Sequence, residues 1–287
     1  MRSLHEPWEL GGITVPNRVV LAPLAGIGNW FVRLQAKRYG AGLAVSEMIS
    51  SHAIHHGNRK TLDELLIVDP RERVGGPVAI QLFGQDPDTA VAVARAAREG
   101  SGLPVTVKLR AAVKPGGIEG FELARRLVGD AGVAGLTFHP RSAAVRHKGT
   151  PDYDLATRLV AELPVPVIVS GGMQGAEHIR AVFESTGCAA VMLARGALGN
   201  PWLFALLLGA RTCEPTRDEV LDEWHWVLDR AVEHLGPERA ARYLRKFHPW
   251  YVERLGEGRT LQAALQRADS IAEQRAVIGG LRPLLAA

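Results

Sequence analysis

The chain is poor in cysteine, in aromatic residues and in long apolar stretches. Only two cysteines, Cys188 and Cys213, occur among its 287 residues, which excludes a disulfide framework and a cysteine-rich metal site. No apolar run approaches the ~20 residues that a membrane span needs. The N-terminus, MRSLHEPWELGG, lacks the apolar region of a signal peptide. We expect a cytoplasmic monomer without a membrane partner.

The remaining composition is that of an ordinary globular protein. Hydrophobic residues make up 47% and charged residues 22%, which is ample for a sizeable core at this length. The net charge is +4 and the isoelectric point is near 9.3. A mildly basic chain is compatible with a polyanionic partner but does not establish one.

Short apolar runs alternate with amphipathic ones over the first two thirds of the chain. The runs predict strands at Val19–Ala22, Leu43–Ser46, Val78–Phe83, Val105–Leu109, Leu136–His139, Val167–Ser170 and Ala190–Ala194. They predict helices at Trp30–Tyr39, Pro87–Glu99, Gly120–Ala131, Tyr153–Glu162 and Ala176–Ser185. This order is typical of an α/β fold with a TIM-type (β/α) barrel. Seven strands are recognisable where such a barrel needs eight.

Two further segments lie outside this alternation. Turn signals within Trp8–Val20 predict a small hairpin that caps the bottom of the barrel. After about Leu206 the strands stop, and Arg217–Leu235, Pro237–Leu255 and Thr260–Ile278 predict helices. We therefore expect a barrel domain at 1–205 and a small all-helical domain at 206–287.

The stretch Pro164–Trp202 contains two strands that each break into small residues. These are Ser170-Gly171-Gly172 and Ala194-Arg195-Gly196. Glycine lets backbone N–H groups approach a ligand closely, and two such loops at the end of a barrel form a phosphate cradle. The structural alternative is that these glycines only make tight turns.

Polar residues on otherwise apolar strands are the other candidates. They are Gln81 in AIQLFG, Lys108 in VTVKLRA and His139 in LTFHPRS. Each has a structural alternative: an amide bonded to backbone, a lysine paired with a carboxylate such as Glu47, and a satisfied buried histidine. Together with a phosphate cradle they fit flavin mononucleotide, which offers a phosphate, a pyrimidine edge and an N1–O2 locus that a cation stabilises.

The chain resembles the tRNA-dihydrouridine synthases, which are flavin-dependent (β/α) barrel enzymes with a helical C-terminal domain. The matching segments are LAPLAG, AGLAVSEM, VAIQLFGQDP, PVTVKLR, LTFHPRSAAVRHKGTPDYDL, PVPVIVSGGM, TGCAAVMLARGALGNPWLF and LRKFHPWYVERL. The resemblance covers nearly the whole chain. It implies FMN as cofactor, NAD(P)H as reductant and tRNA as partner, with hydride passing to C6 of a flipped-out uridine.

The resemblance also implies roles for individual residues. The implied FMN-binding residues are Pro23, Leu24, Ala25, Gln81, Lys108, His139, Ser170, Gly171, Gly172, Ala194 and Arg195. The implied tRNA-binding residues are Arg141, Arg245 and Lys246. The last two lie in a basic run with Arg239 and Arg242 whose structural alternative is a solvated helix face.

One segment of the family pattern is missing. The family has a further strand after QLFG that ends in a Gly-Cys-Pro loop, and that cysteine is the general acid that protonates C5 of the uracil. Here VAIQLFGQDP runs through a single helix into SGLPVTVKLR. Neither remaining cysteine replaces the missing one, because Cys188 precedes a strand and Cys213 lies in the linker, so no catalytic residue is identified.

The missing unit has a structural and a chemical consequence. A seven-strand barrel must pair Val78–Phe83 with Val105–Leu109 or stay open, because strand number and shear change together. Loss of a general acid slows a reaction by ~10²–10⁴-fold. Three functions remain open: a synthase with another proton source, a catalytically impaired FMN- or tRNA-binding relative, and a different phosphate-binding barrel enzyme. The intact mass of the native protein would show whether the natural chain contains a further segment.

Overall fold

The structure is a computed structural model that describes residues 2–50, 56, 58–59, 61–83, 87–146 and 148–282. It contains two compact units. The first comprises Met1–Ala197 and Leu203–Ala210, and the second comprises Leu198–Trp202 and Arg211–Ala287. Within the described residues, no helix is both long enough and apolar enough to cross a membrane.

The first unit alternates strands and helices. Its strands are β1 (Trp8–Leu10), β2 (Ile13–Val15), β3 (Val19–Leu21), β4 (Leu43–Ser50), β5 (Val78–Phe83), β6 (Thr106–Ala112), β7 (Gly135–Ser142), β8 (Val167–Ser170) and β9 (Ala190–Leu193). Its helices begin with α1 (Trp30–Arg38), α2 (Pro87–Ser101), α3 (Glu119–Ala131), α4 (Tyr153–Glu162) and α5 (Ala176–Thr186). The short helix α6 (Trp202–Leu207) follows.

Seven of these strands form one parallel sheet in the order β5-β4-β3-β9-β8-β7-β6. Strands β3, β8 and β9 are buried along their whole length, as expected for parallel strands that are covered on both faces. The predicted (β/α) barrel architecture with seven strands is confirmed. Strands β4, β6 and β7 extend three or four residues beyond the predicted ends, because Glu47, Arg110 and Pro140 interrupt the apolar runs on which those predicted ends rest.

The hairpin of β1 and β2 is antiparallel, with Trp8 opposite Val15. Its Trp8, Leu10 and Val15 belong to one buried cluster with Val20 and Ile168 of the parallel sheet. The predicted hairpin is therefore present, and its apolar side chains extend the core of the sheet.

The parallel sheet does not close. Strands β5 and β6 are the two ends of its order, and no ladder joins them within the described residues. The pairing of Val78–Phe83 with Val105–Leu109 that closure requires is thus not formed. Without a strand to bridge β5 and β6, closure would impose a tighter curvature on all seven strands. The barrel stays open where the sequence lacks its eighth strand.

Helix α2 packs mainly against α3. Arg95 of α2 donates from Nε and Nη2 to the carbonyl oxygen of Asp130, at 3.1 and 2.6 Å. In a complete barrel the helix after β5 would lie over β5. Ile80 and Leu82 on the outer face of β5 are instead each 42% exposed. Helix α2 therefore occupies the place of the helix that precedes β6, and β5 is left with an uncovered apolar face.

Exposed apolar edge strands are sites of self-association. We expect the double substitution Ile80→Lys and Leu82→Lys to reduce non-specific association of the monomer at high protein concentration, with a change in stability of about 0.5 kcal/mol or less for each substitution. Light scattering over a concentration series and denaturant unfolding would measure these effects. Ala79→Lys provides the contrast on the opposite face of β5. Because Ala79 packs against the core, we expect a lysine at this position to unfold the protein. Unchanged association of the double variant would contradict the prediction.

The second unit is helical. Its helices are α7 (Arg217–Leu235), α8 (Pro237–Leu244), α9 (His248–Arg254), α10 (Arg259–Arg267) and α11 (Ile271–Gly279). The first predicted helix is confirmed by α7, whose capping box joins Thr216 and Glu219. The other two predicted helices were each wrong in length, because each is divided into two.

Local chemistry explains both divisions. Pro249 has no N–H to donate to the carbonyl of Arg245, and its ring disfavours a helical conformation at the preceding residue. Helix α8 accordingly ends at Leu244, and α9 begins at His248 with the proline in its first turn. The second division lies at Ser270, whose side chain accepts a hydrogen bond from the Glu273 N–H at 3.2 Å and starts a new helix.

Candidate functional site

The loops that follow the parallel strands lie at one edge of the sheet, its carboxyl edge. The loops after β8 and β9 are neighbours, since β8 pairs with β9 and Ser170 lies opposite Met192. Gly171 and Gly172 have φ values of 97° and 75°, which only glycine adopts readily. These two glycines follow β8 directly.

The backbone of this loop is in close contact with side chains from β7 and α4. A Cβ atom on Gly171 would lie 2.3 Å from Cδ2 of His139, and one on Gly172 would lie 2.5 Å from the hydroxyl oxygen of Tyr153. That hydroxyl donates to the carbonyl oxygen of Gly171 at 2.9 Å and lies 3.2 Å from Nε2 of His178. His139 and the glycine loop, both predicted, are therefore brought together.

The loop after β9 is equally tight. A Cβ atom on Gly196 would lie 2.1 Å from the carbonyl oxygen of Met173. Arg195 begins a short 3-10 helix and is exposed, whereas Ser170 is buried. The Ser170 hydroxyl donates to the carbonyl oxygen of Phe138 at 3.4 Å. In both adjacent loops, the close packing therefore requires glycine, so that no side chain of the loop itself stands at these positions.

The loop after β3 carries Pro23, Leu24 and Ala25. Leu24 is buried, while Ala25 is exposed. The Gly28 N–H donates to the carbonyl oxygen of Leu24 at 2.7 Å. The N–H of Gly26 donates to Oε1 of Glu47 at 2.5 Å. The carboxylate of Glu47, which lies at the irregularity in the pairing of β4 between Val45 and Met48, is thereby engaged with this loop.

Gln81 and Lys108 lie on the two strands that border the opening. The Gln81 N–H donates to the hydroxyl oxygen of Ser46 at 2.9 Å. Its side-chain Oε1 and the Nε2 of His139 are buried, and neither has a hydrogen-bond partner among the residues that the structure describes. Buried polar atoms without partners are rare in proteins. An amide oxygen and an imidazole nitrogen are thus both available to a ligand.

Cations surround His139. Burial and then the charges of Lys108, Arg110, Arg141 and Arg195 lower its pKa to about 3. Burial and then Arg110 lower the pKa of Lys108 to about 8. Every charged group that acts on His139 is positive, which makes this end of the sheet a site for an anion.

The structure does not pair Lys108 with Glu47, the structural alternative weighed for this lysine. In the described part of the chain Lys108 forms no ion pair, and the carboxylate of Glu47 is engaged by Gly26 instead. A half-buried ammonium without a counter-ion is unfavourable. Lys108 is consequently suited to an electron-rich ligand.

Arg141 and Arg110 stabilise the loop after β7. Arg141 is 9% exposed, and its Nη2 donates to the carbonyl oxygen of Gly149 at 2.5 Å. Nη1 of Arg110 donates to the carbonyl oxygens of Ser142 and Arg146, at 3.1 and 2.9 Å. A tRNA contact by Arg141 stays a prediction. In the structure its guanidinium holds this loop.

Arg245 and Lys246 lie in the second unit, between α8 and α9. Nη2 of Arg245 donates to Oδ1 of Asp269 at 2.7 Å. Lys246 is exposed, and its Nζ lies 4.9 Å from the centre of the Tyr243 ring. Their role in tRNA binding also stays a prediction, with Lys246 the more accessible of the two.

Tyr153 and Arg110 are site residues that the sequence reasoning missed. Both stood inside motifs that were quoted for other residues, Arg110 in PVTVKLR and Tyr153 in TPDYDL. Arg110 lies two residues after Lys108, and Tyr153 is the first residue of α4. These positions could have identified both as candidate site residues. Their hydrogen bonds to loop carbonyls could not be read from a pattern.

The depressed pKa of His139 predicts acid sensitivity. Because this pKa is about 3 in the folded chain and about 6.5 in an unfolded one, only the unfolded chain gains the proton as the pH falls below 6.5. Stability should therefore decrease, by up to ~1.4 kcal/mol for each pH unit. Denaturant unfolding at pH 7 and pH 5 should show a smaller loss for His139→Gln than for the natural chain. Equal losses would contradict this origin.

These features fit a flavin nucleotide. The unpartnered amide oxygen of Gln81 matches a heterocycle that donates a hydrogen bond, and the lone ammonium of Lys108 matches an electron-rich ring edge. The glycine loops after β8 and β9, beside an all-cationic cluster, match a phosphate group.

Comparisons with known proteins agree with this chemistry. The sequence profile of the family described as dihydrouridine synthase (Dus) matches residues 20–102 and 95–279. The chain belongs to the dihydrouridine synthase family. It is 28% identical to the tRNA-dihydrouridine synthase B of Xanthomonas campestris pv. campestris, over 94% of either chain. It is 30% identical to a protein of Mycobacterium tuberculosis named "Probable tRNA-dihydrouridine synthase", over 92% of this chain and 82% of that one.

The match to the dihydrouridine synthase family comes in two ranges. They overlap at 95–102, over the last part of α2 and the residue that follows it. The alignment with the Xanthomonas relative is 318 residues long although the chain has 287, so the relative carries positions without a counterpart here. The overlap lies at the carboxyl-terminal end of the helix that joins β5 to β6 and that packs against α3.

Among solved structures, 2-naphthoyl-CoA reductase in complex with 2-naphthoyl-CoA has a similar fold. The TM-score is 0.54 at 15% sequence identity, over 76% of this chain and 53% of that one. A likeness at this identity concerns the fold alone. It is consistent with a (β/α) barrel for this member of the dihydrouridine synthase family.

Proposed function

We propose that this chain binds FMN at the carboxyl edge of its sheet and uses it, with NAD(P)H, to reduce uridines in tRNA. The observation that carries the proposal is that two buried polar atoms, Gln81 Oε1 and His139 Nε2, have no partner among the described residues, and that the second of them lies in an all-cationic cluster. The family membership supplies the reaction class. When bound, FMN would carry hydride from the nicotinamide to C6 of the uracil.

The chain's own residues would divide the binding of FMN among three elements. Gln81 of β5 would accept a hydrogen bond from the pyrimidine edge, and Lys108 of β6 would place its ammonium near N1 and O2. The loops Ser170-Gly171-Gly172 and Ala194-Arg195 would hold the phosphate through backbone N–H groups. Pro23, Leu24 and Ala25 would present backbone to the ring. Because Gln81 and Lys108 border the opening of the sheet, the pyrimidine end would lie beside that opening.

Contacts with tRNA are assigned to basic side chains of both units. Arg245 and Lys246 of the second unit would bind backbone phosphates, with Arg141 supporting a loop of the first unit. Such contacts release counterions, so binding should weaken steeply as salt is raised. No protein partner is needed for this assignment, and we propose that the chain acts as a monomer.

The proton that the reaction requires at C5 has no assigned donor. Cys188 is buried just before the amino end of β9, and Cys213 is exposed in the second unit. Burial raises the pKa of the Cys188 thiol, which makes it a poor acid as well as a remote one. We therefore propose that dihydrouridine forms slowly, by ~10²–10⁴-fold relative to relatives that carry the cysteine.

The open sheet favours a second candidate function. If the missing unit also supplied the contacts that hold the uracil, the chain would bind FMN and tRNA without reducing uridine. Purified protein would then be yellow and would bind tRNA, yet it would oxidise NAD(P)H no faster than free flavin does. A colourless protein would instead indicate a different phosphate-binding barrel enzyme.

Expression in a strain without any dihydrouridine synthase tests the proposal. Mass spectrometry of tRNA nucleosides should detect dihydrouridine in cells that carry this gene. It should detect none in cells of the same strain that carry an empty plasmid. Absence of dihydrouridine with well-expressed, flavin-loaded natural protein would reject the synthase function and leave the binding function.

A further inference from the structure

A buried ion pair lies behind the loop that follows β3. Nε and Nη2 of Arg33 donate to the two carboxylate oxygens of Glu72, at 2.6 and 2.9 Å. Both side chains are essentially inaccessible to solvent, at 1% and 0% exposure. Arg33 is on α1, and Glu72 is in the 3-10 helix Pro70–Arg73, so the pair joins two segments that are 39 residues apart in the chain.

The same guanidinium binds two backbone carbonyls. Nη1 donates to the carbonyl oxygen of Gly28 at 2.8 Å, and Nη2 donates to that of Ile67 at 2.6 Å. The carbonyl of Gly28 also accepts from the Glu47 N–H at 3.2 Å. Arg33 thus fixes the end of the loop 22–28, the loop that carries Pro23, Leu24 and Ala25.

Glu72 is itself held in place. Its Oε1 accepts from the N–H of Asp69 at 2.8 Å within a capping box. The backbone at Gly28 leaves no room for adjustment, since a Cβ atom there would lie 2.8 Å from the carbonyl oxygen of Leu24. The carboxylate, the guanidinium and the loop therefore form a connected and closely packed arrangement.

A buried ion pair contributes little to stability by itself, since the loss of hydration of two charges offsets their attraction. An apolar pair would fill the same space. What an apolar pair cannot do is donate hydrogen bonds to the carbonyls of Gly28 and Ile67. The particular value of the arginine fork is therefore geometric.

We infer that the Arg33–Glu72 pair is a positioning device for the cofactor, which fixes the backbone of loop 22–28 at the distance that the flavin ring requires. The inference rests on the proposed function, because that loop faces the cofactor only if FMN binds at this edge. Arg33 and Glu72 touch neither cofactor nor substrate in this account. They act through the carbonyl of Gly28.

The decisive variant replaces the pair by Arg33→Met with Glu72→Leu. The apolar pair should preserve the thermal midpoint of the flavin-free protein to within a few degrees, because apolar side chains of similar volume can replace a buried ion pair without loss of stability. The dissociation constant for FMN should rise about tenfold, as expected for the loss of the one hydrogen bond that fixes loop 22–28, the bond to the carbonyl oxygen of Gly28. Fluorescence titration of the flavin measures it without any turnover.

The control removes the exposed ion pair of Arg125 and Glu162, which joins α3 and α4 in the same unit. It carries the substitutions Arg125→Gln and Glu162→Gln together. Its FMN affinity should match that of the natural chain. Arg33→Lys is a second variant, for the case that the apolar pair does not fold. It keeps the charge but loses the fork, and it should also bind FMN more weakly.

The outcomes separate the two proposals. If the folded apolar-pair variant binds FMN with the affinity of the natural chain, the positioning role is overturned and the proposed function stays intact. If the apolar pair does not fold, the same result with Arg33→Lys has the same meaning. Failure of the natural chain to bind FMN would overturn both. Weaker FMN binding with an unchanged thermal midpoint is the result that the inference predicts, since a merely structural pair would alter the two together.

Discussion

Replacing Lys108 by methionine is expected to lower the midpoint potential of bound FMN by about 30–60 mV. A cation near N1 and O2 stabilises the negative charge that reduction places there. A charge-assisted hydrogen bond of this kind contributes ~1.5–3 kcal/mol, which corresponds to the stated shift for a two-electron couple. Spectroscopic titration against a reference dye measures the potential directly.

The pKa of Lys108 adds a pH dependence to this prediction. Since the flavin-free chain holds that pKa near 8, the ammonium loses its proton as the pH rises through this region. The midpoint potentials of the natural chain and of Lys108→Met should therefore converge above pH 8. This convergence is in addition to the pH dependence that the flavin gives to both proteins. The difference should be full at pH 6.5.

Lys114→Met is the matched control. Lys114 is an exposed lysine in the segment after β6, so its removal subtracts the same charge without emptying the site. Its potential should stay within a few millivolts of the natural value. Equal shifts in Lys108→Met and Lys114→Met would show that only the overall charge matters, and would contradict the assigned position of Lys108.

Gly171→Ala is expected to weaken FMN binding by ~10–100-fold and to destabilise the fold by ~1–3 kcal/mol. The φ value of 97° disfavours any side chain. The new methyl group would also lie 2.3 Å from the ring of His139, so that the ring and the loop must move apart. Both effects act at the assigned phosphate site.

Gly175→Ala provides the comparison for this variant. Gly175 is the N-cap of α5 and has a φ of −128°. Among the described residues, no atom lies within 4 Å of the position that its new methyl group would take. Its affinity for FMN and its stability should change little, by about 0.5 kcal/mol at most. Flavin titration and denaturant unfolding measure both glycine variants. Natural affinity in Gly171→Ala would place the phosphate elsewhere.

Much of the first unit was predictable from hydrophobic periodicity. Short buried runs such as Val167–Ser170 and Ala190–Leu193 have no polar interruption, so their apolar pattern marks them unambiguously. The gap in the order of strands was also visible as a missing unit. Whether the sheet would close was not predictable, because closure depends on the curvature of all seven strands together.

Other features depend on long-range contacts that leave no local signal. Arg33 is buried in α1 together with Lys37 one turn later, so the helix pattern does not single it out, and nothing near Glu72 in the sequence identifies it as the partner. Glu47 is engaged by the N–H of Gly26 and not by Lys108, the pairing that was the structural alternative for this lysine. The division of the second predicted helix was readable, since Pro249 stands in its middle.

We propose that this chain retains the FMN-binding residues of a dihydrouridine synthase and lacks the cysteine that donates the proton. Anaerobic single-turnover kinetics of the FMN-loaded protein test it most directly, by comparing reduction by NADPH with reoxidation by tRNA. We expect one FMN per chain, reduction by NADPH at an ordinary rate, and reoxidation ~10²–10⁴-fold slower than in a relative that carries the Gly-Cys-Pro loop. Reoxidation as fast as in that relative, or a chain that binds no FMN, would contradict it.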